Sequence, residues 1–290
     1  MNQKTRMLAT MLAFLLLAGG TAAWAYWGVF EAQEAEEARE DAERRLLTLE
    51  AEEVRRLEVT AKDVTTVIEK KGDRWRITAP VEAAADEAAV DGLLDRLVSA
   101  RRQRKVEGTD PAAFGLAPPL VVVAAIDEAG TRAEVALGKT NAFDGSIFVR
   151  DDRGAIGTAN ASLRGALERT TFDLRDKRLV VVGQDTVSAI VLSNGVELVR
   201  EAEGWFVGEP VRERADDPTA DGIVRALQDL RATAFAAEKV EDLAAWGLDA
   251  PVWQVELRRK EGEPVRIAFG QRDGKTWARA GEGPGAEVRA

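Results

Sequence analysis

The sequence predicts an α+β fold: a tandem duplication of an antiparallel sheet-plus-helix unit after an N-terminal transmembrane helix. Three observations predict it. One motif set occurs twice, each set surrounds a single amphipathic helix with short β-patterned runs, and an apolar segment precedes both. The first set is Trp75, Pro80, Ala85-Asp86, Asp91-Gly92, Phe114-Gly115-Leu116, Pro119 and Leu137-Gly138. The second is Trp205, Pro210, Ala215-Asp216, Asp221-Gly222, Trp246-Gly247-Leu248, Pro251 and Phe269-Gly270. The offset is 130 positions at the first landmark (205 − 75) and 132 at the Gly-Leu element (246 − 114), a drift too small for chance. Duplication supplies a filter. Residues present in both copies are read as architecture, and residues confined to one copy are the candidates for function.

The apolar segment runs from Met7 to Phe30 behind Lys4 and Arg6. At 1.5 Å per helical residue it is long enough to span a bilayer. Trp24, Tyr26 and Trp27 cluster at its far end, where an aromatic belt forms. A basic near flank and an acidic far flank leave the N-terminus in the cytoplasm and export the rest of the chain. Ala23-Trp24-Ala25 also fits a signal-peptide cleavage site. The apolar run continues past it to Phe30, which favours an anchor. Residues 1–30 are therefore read as cytoplasmic tip and anchor.

Residues 31–45 follow as an acidic helical stalk. They are rich in Ala, Glu and Arg, which tolerate helix, and lack an apolar stripe. Glu40/Arg44 and Asp41/Arg45 are spaced one turn apart for pairing. The stalk reads as a solvated spacer, or as a docking site for a basic partner.

Repeat unit one is assigned to residues 46–178. Leu46–Leu49, Val54–Thr60, Val64–Ile68 and Trp75–Ile77 read as strands, and Pro80 ends the ladder because it has no N–H to donate. Asp86 is placed as the N-cap of a helix whose Val90, Leu93, Leu94, Leu97 and Val98 form one stripe. Asp110-Pro111 begins a helical turn ending at Gly115. Leu120–Ile126, Ala133–Leu137, Ile147–Arg150 and Ala155–Gly157 are further strands, and Ala161–Arg169 is a short helix capped by Asn160. Repeat unit two, 179–290, follows the same order, with Asp216 as the equivalent cap, and lacks the closing helix. Trp75 and Trp205 are read as core aromatics. Asp173-Leu174-Arg175-Asp176-Lys177-Arg178 is a salt-bridged linker between the copies.

Composition narrows the chemistry. Hydrophobic residues at 46% and charged residues at 31% describe a globular chain rather than a disordered one. The net charge of −10 argues against nucleic acid as a partner. The absence of Cys and His excludes disulfides, thiol and Ser-His-Asp catalysis, and the usual zinc sites. No catalytic, cofactor or metal residue is assigned. Asp127-Glu128 and Asp151-Asp152 are adjacent acids that could serve as an acid/base pair or cation ligands, but neither recurs in copy two. Gly138-Lys139-Thr140 lacks the upstream glycine of a phosphate-binding loop, because position 133 is Ala. The basic run Arg101, Arg102, Arg104 and Lys105 has the counterpart Arg231-Ala232-Thr233-Ala234-Phe235. It is the candidate contact for a partner or ligand: a phosphate, a phospholipid or the acidic stalk.

In order and spacing these motifs resemble the bacterial domain-of-unknown-function 4340 family over roughly residues 46–290. The features carrying the resemblance are Leu47–Val54, Trp-x4-Pro, Ala-Asp before a helix, (Phe/Trp)-Gly-Leu-x-x-Pro, Leu-Gly and Asp173-Leu174-Arg175-Asp176-Lys177. Members of that family are often encoded beside ABC-type transport components of the gliding-motility kind; the resemblance implies an exported accessory subunit, and it brings no catalytic residues. The expectation is a non-enzymatic protein of the bacterial inner membrane, held through residues 7–30, with its bulk in the periplasm and a membrane complex as partner. The alternative is a periplasmic module binding an envelope polymer or small ligand in a cleft between the repeats.

Overall fold

The computed structural model describes residues 33–108, 110–209, 211–238 and 243–289, together with Met11, residues 19–21, Trp24, Tyr26, Trp27 and Glu31. Most of the apolar segment 7–30, and Pro210, lie outside the described residues. Among the described residues no helix is long and apolar enough to cross a membrane.

Helix α1 covers residues 33–44, and every residue in it is solvent-exposed, as a helix without an apolar stripe should be. Arg44 meets Glu40 at 2.9 Å and Arg45 approaches Asp41 at 3.7 Å. Strands β1 (Val54–Ala61), β2 (Val64–Lys71), β3 (Arg74–Ala79) and β4 (Ala83–Ala84) precede helix α2 (Glu87–Val98). After it come β5 (Arg104–Lys105), a 3-10 turn at Pro111–Phe114, β6 (Val121–Asp127), β7 (Arg132–Thr140), β8 (Ile147–Arg150) and β9 (Ile156–Ala159). Short helices α3 (Ser162–Leu167) and α4 (Thr171–Leu174) lead into the second copy. That copy holds β10 (Val187–Leu192), β11 (Glu197–Glu201), β12 (Gly204–Glu209), β13 (Glu213–Arg214), α5 (Asp217–Gln228) and β14 (Ala232–Ala237). It closes with a 3-10 turn at Ala244–Trp246, β15 (Trp253–Arg259), β16 (Val265–Arg272), β17 (Lys275–Ala280) and β18 (Gly285–Val288).

These strands build two nine-stranded sheets of identical topology, β4-β3-β2-β1-β6-β7-β8-β9-β5 and β13-β12-β11-β10-β15-β16-β17-β18-β14. Even the irregularities repeat: β1 slips register against β6 between Val54 and Arg56, and β10 slips against β15 between Val187 and Ala189. The fold is therefore α+β and duplicated. The chain divides into two compact units, residues 1–65 with 91–168 and residues 66–90 with 169–290.

The shared motifs have physical reasons. Trp75 and Trp205 are buried, and their backbone N–H groups donate to the first-turn acids Glu87 (3.1 Å) and Asp217 (2.6 Å). Their carbonyls accept from Ala85 and Ala215. The strand carrying each Trp is thus tied to the start of its helix. Asp86 accepts from the Ala89 N–H at 3.1 Å and Asp216 from the Thr219 N–H at 3.0 Å, the N-cap role the sequence predicts. β3 ends at Ala79, immediately before Pro80. Gly115 and Gly247 terminate their 3-10 turns in the left-handed conformation, φ 68° and 65°, which glycine adopts at least cost. In copy two Ala220, Val224 and Leu227 of α5 join Trp205, Ile190, Leu257 and Ile267 in one core.

Gly92 and Gly222 are a different kind of landmark. Each sits inside its helix with nothing within 4 Å of an added Cβ. Gly222→Ala should therefore raise stability by about 1 kcal/mol through helix propensity, seen as a higher thermal midpoint. A fall would show that close packing had been missed.

Several short elements departed from expectation. Leu46–Leu49 is not a strand. Its backbone is spent on loop interactions instead, Leu46 N–H to the Ala100 carbonyl and Thr48 N–H to Asp152. Arg104 and Lys105 form a strand with no counterpart in the sequence reading, β5, paired with Thr158 and Gly157. The start of the linker belongs to α4, whose Thr170 and Asp173 make a reciprocal capping box.

Candidate functional site

Three of the residues that the duplication leaves unshared, Arg102, Asp151 and Asp152, converge at the base of the stalk. A helix end leaves its last four carbonyls without intrahelical partners, and in α1 those belong to residues 42–45. The Asp41 carbonyl takes the last intrahelical bond, from Arg45 N–H at 3.0 Å; beyond it the Arg44 carbonyl accepts from Arg102 N–H at 2.6 Å and the Arg45 carbonyl from Arg153 Nη2. Arg153 donates to the Ala42 carbonyl at 3.2 Å. The Glu43 carbonyl receives both Arg102 Nη2 (3.0 Å) and Arg153 Nη2 (3.2 Å). Two guanidinium groups at a helix C-terminus also oppose the negative end of the helix dipole.

Asp151 holds both arginines in place. Its side chain is fully buried, and its Oδ2 accepts from Arg102 at 2.5 Å and Arg153 at 3.3 Å. Its Oδ1 accepts from the N–H groups of Arg153 and Ala155. That arrangement fixes the β8–β9 turn as well as the cations. Neighbouring Asp152 grips the chain beyond the helix, accepting from Thr48 N–H at 2.6 Å and Thr48 Oγ1 at 2.5 Å. From the other side Arg101 takes Asp41 in a two-pronged pair at 2.7 and 3.0 Å. The Arg101 hydrogen bond holds the Asp41 carboxyl below its ordinary value.

The proposed contact arginines are thus placed as follows. Arg102 belongs wholly to this clamp. Arg101 donates to the carbonyls of Val98 and Ala100, and Arg231 donates to the equivalent Gln228 and Leu230 carbonyls. Arg101 is therefore a shared helix-capping residue with an added partner in Asp41. Arg104 is exposed and lies 3.4 Å from Asp144, and Lys105 is an exposed residue of β5. The adjacent acids are likewise occupied. Asp151 and Asp152 serve the clamp, and Asp127 closes a turn by accepting from Thr131 N–H at 2.7 Å. Among the described residues no group of three or more acidic side chains is placed to hold a metal.

The sequence reading missed Arg153, which sits in a predicted turn and has no motif around it. Register shows why the clamp is peculiar to copy one. Arg150 pairs with Ala136 in β7, as Arg279 pairs with Ala268 in β16. Asp151 and Arg153 therefore correspond to Ala280 and Glu282, and Arg102 corresponds to Ala232.

The fold and this site define a duplicated sheet-and-helix protein whose first copy seizes a preceding helix. The sequence profile described as Domain of unknown function (DUF4340) matches residues 75–251, and the chain belongs to that family. No curated protein and no solved structure matches it.

Proposed function

We propose that this is a non-enzymatic accessory protein of a membrane complex, anchored in the bacterial inner membrane through residues 7–30 with its folded part in the periplasm. The observation carrying the reading is the clamp. Every terminal carbonyl of the stalk helix is held, and Arg102, Asp151 and Arg153 are absent from the second copy. A flexible tether needs no such fixation; a subunit that must present a surface at a set distance and orientation from the bilayer does. The family resemblance points to an ABC-type transport system as the complex.

Two measurements test this. N-terminal sequencing of the membrane-extracted protein should find residues 1–30 retained, and a mature start at Tyr26 would remove the anchor. Purification from mild detergent at native expression should bring down transporter subunits in fixed ratio. Recovery of a lone monomer would overturn the reading.

A further inference from the structure

A groove of about 510 Å³ lies on the second sheet, on the face away from the α5 core, with Leu243 and Leu248 on one wall and Gln254, Glu256, Arg266 and Arg279 among its lining. That size is within the range of small-molecule sites. Its origin is legible against copy one. There the equivalent face is closed: Ala124 and Ala136 are fully buried, and Leu116, Phe114, Phe148, Ile156 and Val106 pack around Ala136.

The ring pair survives in copy two, Phe114–Phe148 at 4.8 Å becoming Trp246–Trp277 at 4.5 Å. The rest does not. By register Ala124 becomes Glu256, Val122 becomes Gln254 and Ile156 becomes Gly285. The face has lost apolar cover and gained polar groups.

One exchange is decisive. In copy one Arg150 is paired with Glu134 at 3.2 Å. The equivalent positions in copy two are Arg279 and Arg266, so the glutamate has become an arginine. The two sit diagonally across β16 and β17, roughly 7–8 Å apart at Cα, within reach of one anion. Arg266 is served by Glu256 at 2.7 Å, and Glu256 also accepts from Arg258 at 2.9 Å. Arg279 donates to the Gly283 carbonyl at 3.0 Å and has no carboxylate within ion-pair distance among the described residues. Glu282 is exposed at the rim.

We infer that this groove binds a small amphipathic anion. Its carboxylate or phosphate head bridges Arg266 and Arg279 in place of the lost glutamate. Its apolar body lies along Leu243 and Leu248. Planar guanidinium forks suit either head group.

The test uses the full chain in nanodiscs. Because the protein has no cysteine, Ser193→Cys in the groove lining gives a unique site for an environment-sensitive fluorophore. At low salt, hexanoate or hexyl phosphate should give a saturable change, and comparing the two identifies the head group. Hexanol should give none. Arg279→Gln should weaken the response at least tenfold. The double variant Glu256→Ala/Arg266→Glu, which rebuilds the copy-one pairing, should abolish it without lowering the thermal midpoint. No saturable response to either anion, an equal response to hexanol, or an unchanged response in Arg279→Gln would overturn the inference. The anchor and the partner complex are tested separately, so neither outcome decides the other.

Discussion

Gly138→Ala and Gly270→Ala should each destabilise the protein by about 3 kcal/mol or more, the upper range for forcing atoms into a filled site. Neither glycine is needed for its own backbone conformation. The cause is the turn above it. A Cβ on Gly138 would sit 2.2 Å from the Phe114 carbonyl oxygen and 3.2 Å from the Gly115 carbonyl carbon. A Cβ on Gly270 would sit 2.3 Å from the Gly247 oxygen and 2.8 Å from the Trp246 oxygen. Both obstacles are backbone, so no side-chain rotation relieves the clash. The reverse approach is equally close: a Cβ on Gly115 would meet the Lys139 nitrogen at 2.9 Å, and one on Gly247 the Gln271 oxygen at 2.7 Å.

The (Phe/Trp)-Gly-Leu and Leu-Gly elements are thus two sides of a single backbone-to-backbone approach, made once per copy. Chemical denaturation of the single variants should show a large loss in both. An effect as small as that expected of a surface substitution, within about 0.5 kcal/mol, would mean the turn can lift without cost. Gly222→Ala, in the same protein and with open space around it, is the internal control.

This close approach explains how far the sequence could be read. Landmarks that recur at a nearly constant offset predicted the duplication, the Trp-bearing strands, both N-caps and the helical turn ending at Gly115, because local chemistry dictates each. Asp86 has an N–H three residues on to accept from, and Gly115 needs positive φ. What the sequence did not show was decided by long-range pairing. β5 and β13 have two residues each, too few for a period-two pattern. β14 reads Ala-Thr-Ala-Phe-Ala-Ala, with no alternation to mark an exposed and a buried face. The clamp was half visible. Arg102 stood out because copy two has Ala232, but Asp151 looked like one of two solvated acids in a turn. Only the fold brings Asp151 to Arg102, 49 positions away. The sequence filter also classed Arg101 with the unshared run, whereas Arg231 performs the same capping role.

Asp151→Ala should release the stalk and cost the first copy about 3–5 kcal/mol, the usual penalty for removing one partner of a buried ion pair. Removal leaves Arg102, whose side chain is 14% exposed, facing its former partner's place without a countercharge. It also withdraws the side-chain acceptor of the Arg153 and Ala155 N–H groups, so the β8–β9 turn keeps only its backbone bonds. The consequences should be graded along the chain. Arg102 and Arg153 carry the Ala42 and Glu43 carbonyls, so the last turn of α1 should fray and its amides should exchange faster. Asp41 and Arg101 remain, but an ion pair so open to water is screened and too weak to hold the helix alone. Proteolysis should therefore shift to residues 40–50 while repeat two keeps its protection. Arg153→Ala should loosen the stalk with a smaller loss of stability, because it removes donors without stranding a buried charge. A variant at Asp151 whose residues 33–48 exchange as slowly as in the parent would show that the clamp is not what fixes the stalk. On the accessory-subunit role proposed above, a loosened stalk would no longer hold the folded part in register, so Asp151→Ala should lose any co-purifying membrane protein under conditions where the folded domains persist.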